Sequence, residues 1–158
     1  MTKRFQWNTN EASNTIAIIV HHLSGNMLSR WTDFLTTDGE KPWRDRDAEF
    51  EAGYADKKAM TEAWDKGWQC LMSALQGLGP DDLNKIVYIR NEGQTVLEVV
   101  QRQLAHYASH VGQIMFIGKQ IKGDKWKSLS IPKGASKAFN SDKFGKEKER
   151  RHFTEGLK

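Results

Sequence analysis

The stretch from Val96 to Ile121 sets the terms for the rest of the chain. Read as a helix, it places Leu97, Val100, Leu104, Tyr107, Val111 and Met115 along one side. Val99, Gln103, His106, His110, Gln113, Ile114 and Ile117 lie along another. A helix that is apolar on most of its faces has to be covered by other helices, so it belongs at the centre of a bundle. Thr95, with Glu98 three residues on, forms a capping-box pattern at its start. Inside it, "LAHYASHVGQ" sets His106 and His110 one turn apart, and both then point into the protein.

Two further segments supply the covering helices. Over residues 14–35, Ile16, Ile19, Val20, Leu23, Met27, Trp31 and Phe34 recur at three- and four-residue steps, with Ser13 or Asn14 as the cap. "TTDGEKPWRDRD" then breaks the pattern. Over residues 56–78, Asp56 is the N-cap, and Met60, Ala63, Trp64, Gly67, Cys70, Leu71, Ala74 and Leu78 trace an inner face that ends at "GLGP". The β-rich "IVYI" before the turn signal "NEG" predicts a short extended piece. Beyond Gly123 little regular core structure is expected, with Trp126, Leu129, Ile131 and Phe139 laid across the bundle. The fold class is therefore all-α, with a helical domain over residues 1–139 and a basic, flexible tail over 140–158.

Composition narrows the function classes. A chain of 158 residues that is 38% hydrophobic, with six Trp and seven Phe, can bury one core and is not disordered throughout. No apolar run approaches the ~18 residues needed to span a bilayer, and the basic start has no apolar region behind it. The lone Cys70 fits a reducing cytoplasm and reads as a buried, inert thiol. Residues 119–158 carry 12 Lys and Arg against 5 Asp and Glu, whereas the preceding residues are net acidic. No aromatic-interleaved basic face accompanies that tail, so a solvated end is favoured over a nucleic-acid site.

Inward-facing histidines are neutral and hydrogen-bonded, or bound to a metal. A pair at i and i+4 can present two ring nitrogens to one ion at ~2.0–2.1 Å. A third donor would strengthen that reading, and "HHLSGN" offers His21 and His22. Helical geometry does not choose between them, because they flank the apolar stripe on opposite sides about equally. Three neutral imidazoles on a metal would leave positions open for water or substrate. Gln103, Gln113, Tyr107 and Asn26 are candidates to orient the imidazoles.

The segments "NTIAIIVHHLSGNMLSRWTDFLTTDGEKPWRDRDAEFE" and "VVQRQLAHYASHVGQIMFIGKQIKG" resemble a bacterial family of unknown function within the DinB/YfiT-like superfamily. The resemblance runs roughly from Trp7 to Phe144. It implies an up-down-down-up four-helix bundle with a divalent metal held by three histidines. Its pattern "HxxxHxGQ" falls on His106, His110, Gly112 and Gln113, and its "HLSGN" motif selects His22 as the remaining metal ligand, with His21 as the neighbour. Characterised members include thiol-cofactor-dependent transferases and isomerases, and metal-dependent hydrolases. The expected protein is therefore a Zn²⁺- or Ni²⁺-dependent S-transferase or hydrolase acting on a small molecule, with a low-molecular-weight thiol as cosubstrate. Arg30, Arg44 and Arg90 would be anchors if that substrate is acidic. The alternative is a non-catalytic helical protein that binds metal or a partner.

One departure from the family pattern affects the fold. Members usually carry another long helix before the segment equivalent to "FQWNTNEASN", where this chain nearly starts. A bundle without it would expose an apolar groove. A variant or truncated start, a homodimer, or cover by the tail would each account for this.

Overall fold

The computed structural model describes residues 4–51 and 53–150. Helix α1 spans Ile16–Trp31, α2 Lys57–Gln76 and α3 Val96–Lys122, with strands β1 (Ile86–Ile89) and β2 (Glu92–Thr95) between the last two helices. These lie in one compact unit, Met1–Lys122. A second unit, Gly123–Lys158, holds helix α4 at Ser136–Phe144. The protein is thus mainly helical with one small hairpin. A helix of nine residues at α4 was not expected, because "SKAFNSDKF" is too short to show a repeating apolar stripe. Within that unit Leu129 and Phe144 stand exposed.

The capping chemistry explains where the helices begin. The Thr15 side chain accepts from the Ile18 amide, one residue beyond the caps expected from sequence. Asp56 caps α2 as expected, accepting from the Ala59 amide at 2.9 Å. At α3 the capping box closes in both directions. Glu98 Oε2 accepts from the Thr95 amide at 2.7 Å, and Thr95 Oγ1 accepts from the Glu98 amide at 3.2 Å.

The helix at the centre is α1, not α3. Eleven of the 16 residues in α1 are buried, against four of the 27 in α3, namely Val96, Val99, Gln103 and Tyr107. The all-round apolar pattern of α3 reflects two different surroundings. One face packs on α1, while another, including Val100, Leu104 and Val111, lines an apolar groove of about 340 Å³ with Trp68, Leu71 and Met72 of α2. Leu104 is 68% exposed there. Helix α2 crosses α1 at Gly67, where a Cβ would stand 2.9 Å from Met27 Cε and 3.2 Å from Ser24 Cα, so the approach requires the missing side chain.

A polar seam fixes α1 against α3. Trp31 Nε1 donates to Tyr107 Oη at 3.0 Å, and Tyr107 Oη donates to Asn26 Oδ1 at 3.0 Å. Burial pushes the Tyr107 phenol far up, so it stays a neutral donor. Tyr107 and Asn26 therefore brace the helices rather than the imidazoles.

The hairpin pairs Ile86 with Thr95 through Ile89 with Glu92, burying Val87 and Ile89 and exposing Ile86 and Tyr88. Its two turn residues, Arg90 and Asn91, have φ of 55° and 62°, the left-handed pair of a type I′ turn. The Asp38 carboxylate accepts from both of their amides at 2.9 Å, and from the Glu40 amide at 2.7 Å. Those bonds outweigh its desolvation and hold its pKa below the usual carboxylate range. The loop after α1 is thereby tied to the hairpin, and the same loop carries the acids discussed next.

Candidate metal centre

The structure brings His22 of α1 together with His106 and His110 of α3. One ring nitrogen from each lies within 4.8 Å of the others. His22 Nε2 and His106 Nε2 are 3.2 Å apart. A tetrahedral ion at ~2.0–2.1 Å from each nitrogen separates them by about 3.3 Å, so the His22–His106 pair stands at the spacing a shared metal requires. His21 is placed elsewhere, edge-on to Tyr54 with ring centroids 5.3 Å apart. The one-residue offset that periodicity left open is decided by the turn of α1.

The outer nitrogens are already committed. Glu49 Oε2 accepts from His22 Nδ1 at 2.9 Å, and Gln113 Oε1 accepts from His110 Nδ1 at 2.8 Å. With the protons held at Nδ1, both rings keep their lone pairs at Nε2, the atom a metal takes up, and that of His22 faces His106 Nε2. Gln113 was among the candidates named from sequence. Gln103 is buried on α3 with its Oε1 unpartnered.

Sequence reasoning missed Glu49. It arrives on a short 3-10 turn, Ala48–Phe50, in the loop between α1 and α2. Arg44 grips it with two bonds, Nε to Oε1 at 2.8 Å and Nη2 to Oε2 at 2.9 Å. Both side chains are almost fully buried, at 2% and 4% exposure. Burial alone would raise the pKa of Glu49, but the bonds from His22 and Arg44 outweigh it, hold the pKa below the usual carboxylate range and keep the carboxylate ionised. Phe50 packs on the His22 ring, centroids 4.8 Å apart, and closes that side to water. The only signal available in sequence was the density of acids in "RDRDAEFE", which does not single out one of them.

The arginines serve acids of the chain itself. Arg30, Arg44 and Arg90 all reach Glu40 Oε2, at 3.1, 3.3 and 3.2 Å. Arg30 also donates to the Gly39 carbonyl. Burial lowers its basicity despite the Glu40 contact. Arg30 and Arg44 are buried and committed, and Arg90 remains largely exposed.

Burial pushes His106 down to about 4, with the neighbouring His110 and His22 adding to the shift. Burial also lowers His110, against the opposing bond from Gln113. Neutral imidazoles are the form a metal takes up. For the metal-free chain the consequence is a pH dependence. Between about 4 and the ordinary value of 6.5, the unfolded state binds more protons at His106 than the folded one. Stability is thus fully present above pH 6.5 and declines as pH falls toward 4. Thermal melts in EDTA are expected to show a lower Tm at pH 5 than at pH 7.5, and His106→Gln should shrink that difference. An equal difference in the variant would rule out His106 as its source.

These features define a mainly helical protein with a three-histidine group able to hold a metal ion. The chain belongs to the family described as "Protein of unknown function (DUF1572)", whose model matches residues 1–135 and so covers all three histidines. No curated protein and no solved structure matches the chain. No helix among the described residues is long and apolar enough to cross a membrane.

Proposed function

We propose that the protein is a divalent-metal-dependent enzyme of the DinB-like kind, acting on a small molecule by hydrolysis or by transfer to a low-molecular-weight thiol. The observation that carries this reading is the convergence of His22, His106 and His110, with the outer nitrogens of His22 and His110 already bonded. Three protein donors leave coordination positions for substrate, as catalytic rather than closed structural sites do. Imidazole suits Zn²⁺ and Ni²⁺ alike. When bound, the ion would supply Lewis-acid polarisation of a substrate oxygen or sulfur.

The chain's own residues do the rest. Glu49 holds the Nδ1 proton of His22 and fixes the ring's orientation. Arg44 keeps Glu49 charged, and Gln113 does the orienting work for His110. Phe50 excludes water behind His22.

Elemental analysis of protein purified without a histidine tag tests the reading. The expected result is about one divalent ion per chain. Wild-type protein that carries no metal and cannot be loaded would end the proposal. Loaded protein that is silent toward both hydrolase and thiol-transfer substrates would move the assignment to a non-catalytic metal-binding protein.

A further inference from the structure

A cavity of about 540 Å³ lies between the segment leading into α1, the first turn of α1 and the C-terminal half of α3. We infer that it binds an uncharged, partly aromatic small molecule. This rests on the metal-enzyme reading only for calling that molecule a substrate; the pocket itself stands on its own geometry.

Position comes first. Ile19 lines the cavity one turn before His22 on α1, and Ser109, Gly112 and Gln113 line it on both sides of His110 on α3. The cavity therefore sits within a turn of the histidine group on both helices. Gln113 belongs to both places. Its Oε1 accepts from His110 Nδ1, which leaves its amide NH₂ to donate at the cavity wall. The size falls in the ~300–1,000 Å³ range of small-molecule sites.

The lining sets the chemistry. Trp7, Ile19 and Phe116 give flat and apolar surfaces, while Asn14, Ser109 and Gln113 give neutral donors and acceptors. No described residue of the wall carries a charge, in a chain that is 28% charged. A charged ligand would meet no counter-ion there, whereas a neutral one needs none. The arginines that could have answered an anion lie outside this wall, and Arg30 and Arg44 are bound to Glu40 and Glu49. An amphipathic neutral molecule meets both the aromatic faces and the amide and hydroxyl groups.

Gly112 makes the inference testable. A Cβ built there meets nothing within 4 Å, so a side chain at this position starts into open space beside the wall. The probes are N-phenyl-1-naphthylamine, which is neutral, and 8-anilinonaphthalene-1-sulfonate, which has a similar aromatic frame and a negative charge. Fluorescence titrations are run on the full chain in EDTA, with metal content and far-UV circular dichroism measured separately. The expected result is saturable binding of the neutral probe that falls at least tenfold in Gly112→Leu. Ser109→Leu on the same wall should do the same if Gly112→Leu fails to fold. Leu104→Glu, in the separate groove between α2 and α3, should leave that binding unchanged. The sulfonate should bind the Gly112-sensitive site at least tenfold more weakly. Neutral-probe binding that both wall variants leave intact would overturn the inference, as would sulfonate binding of equal strength at the Gly112-sensitive site. Because the titration needs no metal, a chain that never takes up an ion would defeat the enzyme proposal and leave the pocket standing.

Discussion

Replacing His106 with alanine is expected to take bound metal from about one ion per chain to near zero, while His21→Ala retains it. The contrast follows from placement. His106 Nε2 stands 3.2 Å from His22 Nε2 in the converging group, whereas His21 packs on Tyr54. Zinc sites with four protein donors bind with roughly 10–16 kcal/mol, so each donor corresponds to about 2.5–4 kcal/mol, a loss in affinity of roughly two to three orders of magnitude. His106 is only half-buried, so its removal opens a small, partly solvated space. Melts in EDTA should therefore stay close to wild type, which separates loss of the ion from loss of the fold. Equal metal content in His106→Ala and wild type, or metal lost from His21→Ala instead, would reassign the ligands.

That placement shows what a sequence can and cannot carry. Three helices were legible because their apolar residues recur at helical spacing, and so were the caps at Asp56 and Thr95, whose partners lie three residues away. One extended piece was legible from the β-rich "IVYI", but its partner strand Glu92–Thr95 was not, because "EGQT" has no β-rich alternation and the turn falls at Arg90 and Asn91. Which helix is central was not legible. Periodicity reports that several faces of α3 are apolar, but not that α1 covers one of them and leaves Leu104 in an open groove. The site divides the same way. His106 and His110 declare themselves by an i, i+4 step, and a family motif selected His22 where helix geometry could not. Glu49 stayed hidden. It reaches His22 from 27 residues away through a loop with no period, where Asp38, Glu40, Asp45, Asp47 and Glu51 offer the same chemistry. Only the fold of that loop, held by Asp38 on the hairpin turn and by Arg44, distinguishes one carboxylate from the others.

Glu49→Ala should accordingly strike stability and metal binding together. The carboxylate neutralises a guanidinium that is 2% exposed and accepts the Nδ1 proton of a buried imidazole. Breaking a buried pair by removing one partner costs about 3–5 kcal/mol, and the lower end applies here because Glu40 remains 3.3 Å from Arg44. Freed from its acceptor, the His22 ring loses both a fixed tautomer and a fixed orientation, which weakens metal binding by roughly 10–100-fold. Glu49→Gln retains an amide oxygen for His22 but no charge for Arg44, so it should preserve more metal affinity than stability. The double variant Arg44→Ala/Glu49→Ala should be less destabilised than the sum of its parts, since neither charge is then stranded. Gly25→Ala gives an independent route to the same state, because a Cβ at that position collides with the Glu49 carboxylate. Denaturation midpoints and metal titrations on this set decide the matter. A Glu49→Ala protein within threefold of wild-type metal affinity would show that His22 is positioned by α1 alone, and that the buried pair serves only the fold of the loop.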